Sequence, residues 1–334
     1  MQPKTIIRRA RPSDLASVVD FVGQSKTGTS DQQNAEWILH PMDLADTRHP
    51  LQEAMDDESV HIAVTGGKLS GLAVLNVRQA RLLQLRICAS PQQAQIAARL
   101  LQSIERRAVC FGIRRIHLFA RPEREAFLSA HHYIRPDSNE ALAHGKNSQA
   151  ARRSRSLLRR RTRLARHVDS LLRDLGVPSD YGQLHRLELQ AECQSLCLVE
   201  RTENGREHHL MPAAAHAWFE MSRAATHAGV GLEIVSAFRS FNYQADIIRR
   251  KLSAGQNIDA VLKVSAAPGF SEHHSGRALD LNQPGLPPLE TTFSDTAAFR
   301  WLNSNAGSFG FRMSYPRNNR HGIAYEPWHW AWTG

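Results

Sequence analysis

The chain has 334 residues, which predicts two domains of ordinary size, and a 42% hydrophobic content is enough to build real cores. No run approaches the ~18 consecutive apolar residues of a membrane helix, the start MQPKTIIRRARPSDL lacks the apolar stretch of a secretory signal, and Cys88, Cys110, Cys193 and Cys197 form no disulfide framework, so the expected setting is cytoplasmic. The net charge of +10 suggests a nucleic-acid binder until it is located: eight arginines (152, 153, 155, 159, 160, 161, 163 and 166) crowd between Arg152 and Arg166 without one acid, so the excess is a local block and not a basic domain.

In chain order, residues 1–138 alternate strands and helices. TIIRRA reads as a strand, and PSDLASVVDFV as a helix capped by Ser13 or Asp14. VHIAV-TGGK-LSGLAVLNV is a hairpin turning at Gly66-Gly67, and LLQLRICA is another strand. A long helix follows over PQQAQIAARLLQSIERRAVCFG, then the strand IRRIHLFA and the helix REAFLSAHHYI. This order, from IIRRARPSDL to EAFLSAHHYI, resembles a GNAT acetyltransferase, which implies a mixed sheet with flanking helices. The resemblance also implies a Q/R-x-x-G-x-G/A loop whose N–H groups hold the pyrophosphate of acetyl-CoA. Here the matching stretch is Gln92–Ala97, with Gln95 in place of the first glycine, and Leu128 stands where the family has a tyrosine acid. A side chain at Gln95 obstructs the close approach of backbone to phosphate. The domain is therefore expected to be non-catalytic and without acetyl-CoA, the alternative being an acetyltransferase as the main activity.

Residues 139–156 are polar and aperiodic, and 139–166 reads as a basic linker running into a helix start. Leu157, Leu164, Val168, Leu171 and Leu175 keep a 3–4 spacing with arginines opposite, so an amphipathic helix is expected. Its basic face is a solvated surface or a contact for an anionic partner, and no aromatic residue interleaves it for base stacking. A second α/β unit fills 167–334, with helices over AAAHAWFEMSRAATHAG, NYQADIIRRKLSAG and DTAAFRWLNSNAGSFGF and a strand at LEIVSAF.

Three stretches of this unit carry chemistry. In Ser271-x-His273-x-x-Gly276-x-Ala278-x-Asp280 an imidazole and a carboxylate stand seven apart, with a glycine for the turn between them. Nitrogen and oxygen donors together suit zinc, which needs a third protein ligand and an open position for catalysis. Glu326-Pro327-Trp328-His329 offers a third ligand and a base, and the strand end Ser236-Ala237-Phe238-Arg239-Ser240 delivers a guanidinium. The three motifs, in this order, resemble the zinc D-alanyl-D-alanine carboxypeptidases of the VanY type, in the LAS group that also holds D,D-dipeptidases and the hedgehog fold.

That resemblance implies an antiparallel sheet with helices around a zinc site. It further implies His273, Asp280 and His329 as the ligands of Zn2+, Glu326 as the general base acting on water, and Arg239 as the group that stabilises the oxyanion. Ser271, Ser240, Gln244 and Tyr315 sit in family-like contexts and are candidates for substrate contact. His274 fits no position of the pattern, and His321 reads as structural, near a strand at 323–325. The reaction implied is hydrolysis of a peptide bond at or near a D-alanine in peptidoglycan stem peptides or muropeptides. L,D-carboxypeptidase and D,D-dipeptidase chemistry are the enzyme alternatives, and a non-catalytic zinc-containing binding module is the alternative of another class.

Overall fold

In the computed structural model, which describes residues 4–23, 48–88, 90–120, 124–134, 151–157 and 163–334, strand alternation builds a mixed sheet from the first part of the chain. Its elements are β1 (Thr5–Arg9), α1 (Leu15–Gly23), α2 (Arg48–Asp56), β2 (Val60–Thr65), β3 (Lys68–Asn76), β4 (Arg81–Ile87), α3 (Gln93–Cys110), β5 (Arg115–Ala120), α4 (Glu125–Ala130) and β6 (Ala151–Ser156). The strands lie in sequence order, β4 and β5 parallel and the other described pairs antiparallel. The parallel pair needs a crossover, which α3 supplies. Side chains of β3 alternate between two cores: Ala73 and Leu75 pack with Leu100, Leu101 and Ile104 of α3, while Leu72 and Val74 pack with Val18, Leu51 and Ala54 of α1 and α2. Gln95 is exposed in the first turn of α3, and Leu128 is buried in the core.

The stretch read as a linker contains a strand. Ala151–Ser156 pairs with β5, from Ala120↔Ala151 to Arg115↔Ser156. The sequence hides it because the inward position holds an arginine. The Arg155 guanidinium donates to Glu105 Oε1 at 2.8 Å and to the His131 carbonyl at 2.6 Å, and the Tyr133 hydroxyl donates to the same Glu105 oxygen. Glu105 is fully buried, so the charge of Arg155 is answered within the unit. Leu157, expected on the amphipathic helix, instead extends the β5–β6 pairing through an N–H bond to the Arg114 carbonyl. Arg159, Arg160 and Arg161 lie outside the described residues.

The chain divides into two units, Met1–Arg161 and Thr162–Gly334. The second holds α5 (Arg163–Asp174), α6 (Tyr181–Leu184), β7 (Cys197–Arg201), β8 (Glu207–Leu210), α7 (Pro212–His227), β9 (Glu233–Ser236), α8 (Phe241–Ser253), α9 (Ile258–Val264), β10 (Ala278–Asn282), α10 (Ala297–Asn305), β11 (Phe311–Met313) and β12 (His329–Trp332). An antiparallel sheet runs β11-β12-β10-β9, and β7 and β8 form a hairpin. Its core face carries Leu279, Leu281 and Trp330 against Trp218 and Met221 of α7 and Leu302 of α10. A second core joins Val168, Leu171 and Leu172 of α5 to Phe241 and Ile248 of α8 and Val261 of α9. Residues 323–325 form no strand. They run as an irregular segment whose Ala324 N–H is held by the Lys263 carbonyl.

Candidate metal centre

The same alternation that buries Leu279 and Leu281 on one face turns Asp280 to the other. On β12, Trp330 points into the core and His329 away from it, and the register places His329 directly opposite Asp280. On the far side of β10, Asp280 pairs with Ser236 at the end of β9, which delivers the loop 237–239 to the same place. His273 arrives from a 3-10 turn over Glu272–Ser275 that ends on Gly276 at φ 67°. A Cβ at Gly276 would stand 3.0 Å from the Met211 backbone nitrogen, so both the left-handed conformation and the close approach call for glycine.

His273, Asp280 and His329 are all buried and bring donor atoms within 4.8 Å of one another. His273 Nδ1 donates to the Ala237 carbonyl at 2.6 Å, which leaves a lone pair on Nε2. Among the described residues that buried nitrogen has no hydrogen-bond partner, and it lies 3.2 Å from Asp280 Oδ2. Two lone-pair atoms this close, out of water, are held together most favourably by a cation between them. Burial and the nearby Arg239 push the His273 imidazole down to about 4, so it is neutral and ready to ligate. Burial opposes the charge of Asp280, but His273, His329 and Arg239 outweigh it and hold the carboxyl well below its ordinary range.

Burial would also lower His329, yet its hydrogen bonds to Asp280 Oδ1 (3.0 Å) and Glu272 Oε2 (2.9 Å) carry it up to about 10. Glu272 is the residue that motif reasoning missed. It lies between two pattern positions, and no spacing shows which way it points. Two nitrogens and a carboxylate oxygen form a donor set that fits zinc.

Glu326 stands outside this donor group. Its burial, reinforced by Asp280, raises the carboxyl to about 7, against the lowering effects of His329, Arg239 and Lys251. The His329 N–H donates to the Glu326 carbonyl, so one turn carries both residues. Arg239 Nη2 lies 3.6 Å from Asp280 Oδ2, and its backbone N–H donates to the His273 carbonyl. His274 is fully buried: its Nδ1 donates to the Arg239 carbonyl at 2.6 Å, and its Nε2 accepts from the Gly269 N–H. The adjacent histidines thus divide their work, one facing the centre and one tethering the loop of Arg239.

A cavity of about 360 Å³ opens over the centre, lined by Arg239, Ser271, His273, Asp280, Tyr315, Glu326 and His329 among others. Tyr315 packs its ring 4.8 Å from that of His329. Ser240 and Gln244 are not in the lining. The Ser240 hydroxyl caps α8 by accepting the Tyr243 N–H, and the buried Gln244 amide donates to the carbonyl of Ala266, which does line the cavity. His321 and His185 clasp each other, each ring Nδ1 donating to the other's carbonyl.

Residues 207–334 match the family model for VanY, D-alanyl-D-alanine carboxypeptidase. The putative carboxypeptidase YodJ of Bacillus subtilis is 33% identical over 135 residues, covering 40% of this chain and 49% of that protein. The solved structure of the LdcB LD-carboxypeptidase is 30% identical with a TM-score of 0.39, covering 43% of this chain and 71% of that one. An N-acetylglutamate synthase structure from Neisseria gonorrhoeae is 18% identical with a TM-score of 0.35, covering 47% of this chain and 36% of that one. The chain spans 49% of the length of YodJ and 43% of that of the D-alanyl-D-alanine carboxypeptidase of Enterococcus faecalis, to which it is 32% identical. Among the described residues no helix is long and apolar enough to cross a membrane. The motifs, their geometry and the family match fall on the same stretch, and within the C-terminal unit residues 207–334 resemble the VanY family.

Proposed function

We propose that the C-terminal unit is a zinc-dependent peptidase that releases the terminal residue of D-alanine-ended, peptidoglycan-derived peptides. The observation that carries this reading is the buried, unpartnered His273 Nε2 facing Asp280 Oδ2, with His329 completing three donors and a carboxyl raised to about 7 beside them. His273, Asp280 and His329 would hold the metal. When bound, zinc supplies Lewis acidity that brings the pKa of water down to ~7. Glu326 accepts the proton of the attacking water and returns it to the leaving amine, work for which a pKa near the operating pH is best. The Arg239 guanidinium faces the cavity and counters the negative charge that develops on the carbonyl oxygen. Arg206 and Lys251 add positive charge to the wall, which suits the carboxylates of a stem peptide.

Mass spectrometry of tripeptide, tetrapeptide and pentapeptide stems incubated with the zinc-loaded chain tests the reading. Loss of one alanine from the pentapeptide is expected. Cleavage of the tetrapeptide alone would transfer the assignment to an L,D-carboxypeptidase, and no cleavage of any stem would leave a zinc-containing binding module. A pH profile is expected from Glu326. The base works ionised, so kcat/KM rises with pH along an acid limb centred at or below 7, because a bound cation shifts the carboxyl downward from about 7. A rate that falls across pH 5 to 7 would exclude Glu326 as the base.

A further inference from the structure

Glu272 has no place in the ligand and base assignments, yet it touches the centre. Its Oε2 lies 2.9 Å from His329 Nε2, while the other ring nitrogen, Nδ1, faces Asp280 Oδ1 at 3.0 Å. Glu272 is not a member of the donor group formed by His273, Asp280 and His329, and the nitrogen it meets, Nε2, is the one on the opposite side of the ring from the nitrogen that faces Asp280. A neutral imidazole has one N–H and one lone pair, and the partner of one nitrogen decides the state of the other. An ionised carboxylate only accepts hydrogen bonds. Without a metal both nitrogens carry hydrogens to their carboxylates; when a cation displaces one of them, Glu272 retains the hydrogen on Nε2, so the lone pair opens on Nδ1, turned toward Asp280.

His273 is set the same way through the opposite nitrogen: its Nδ1–H goes to the Ala237 carbonyl, and Nε2 is left facing Asp280 Oδ2. The two histidines thus offer different ring atoms, each chosen by an acceptor on the outer side. Glu272 and His273 are neighbours in one 3-10 turn, so that turn supplies one ligand and also orients another that arrives 57 residues later.

We propose that Glu272 is a positioning residue for the metal, holding the His329 ring so that Nδ1 is the atom presented to the cation. This rests on the reading of the same centre as a zinc site. Partners of this kind typically contribute 10–100-fold to metal affinity.

The test is a zinc competition titration against a chromophoric chelator on the full chain, comparing wild type, Glu272→Ala and Glu272→Gln, with thermal unfolding of each metal-free protein alongside. Glu272→Ala is expected to weaken zinc binding by about 10–100-fold. Glu272→Gln keeps an oxygen that accepts the Nε2–H and is expected to recover most of that loss. A role confined to folding would lower the melting midpoint of Glu272→Ala and leave the zinc affinity of its folded fraction unchanged, which would overturn the proposal. So would equal weakening by alanine and glutamine, because the acceptor would then not be what matters. If the wild type itself takes up no zinc, the metal reading fails and this inference falls with it. If the wild type binds zinc and Glu272→Ala binds it equally well, only this inference falls.

Discussion

Glu326→Gln is expected to lose ~10²–10⁴-fold in turnover, the usual contribution of general acid–base catalysis, while keeping its zinc. The two halves of this expectation come from different observations. Metal retention follows because Glu326 is outside the group of three donors that converge on one point. Loss of turnover follows because Glu326 is the lining carboxyl whose pKa burial raises to about 7. Asp280, held well below its ordinary range by its histidine and arginine neighbours, cannot take over as a base. Glutamine keeps the shape and the backbone bonds that Glu326 makes to Tyr315 and His329, so the turn carrying His329 remains in place. It cannot accept a proton from water, and the acid limb of the pH profile should vanish with the activity. Metal analysis and steady-state rates on one preparation check both halves. A variant that cleaves D-alanyl peptides within a few-fold of wild type would remove Glu326 from the mechanism.

His273→Ala is expected to lose both zinc and turnover, with zinc falling from about one per chain to background, since a zinc site needs at least three protein ligands. His273 is fully buried and contributes a neutral nitrogen that no other described side chain can replace from the same turn. His274 is adjacent, but its two nitrogens are committed to Arg239 and Gly269. The substitution also strands the Ala237 carbonyl, an unsatisfied buried acceptor that costs roughly 1–3 kcal/mol. Circular dichroism and a melting curve therefore accompany the metal analysis, so that lost zinc is not confused with lost fold. Undiminished zinc in folded His273→Ala protein would sink the ligand assignment.

Much of the candidate centre was legible in the sequence because its geometry is local. A seven-residue separation from His273 to Asp280 spans one 3-10 turn, one glycine corner and three strand positions, and strand alternation then selects the face. Glu326 and His329 share a single turn for the same reason. The roles of Ser240 and Gln244 were not local. Motif context places both near the site, but one hydroxyl caps a helix and one amide props a carbonyl behind the wall. Strand β6 was obscured because the arginine in its inward position is neutralised by Glu105, 50 residues earlier, and hydropathy patterning cannot register such a partner.

Sequence by itself determined two α/β parts, the donor types and the strand face on which Asp280 stands, since residue chemistry and backbone period are properties of short segments. Only the tertiary structure decided that His329 lies opposite Asp280 across 49 residues, that Glu272 reaches the back of the His329 ring, and that Glu326 is buried deeply enough to titrate near neutrality. Strand register, ring orientation and desolvation arise from groups brought together by packing, and segments far apart in the chain carry no mark of which neighbours they will meet.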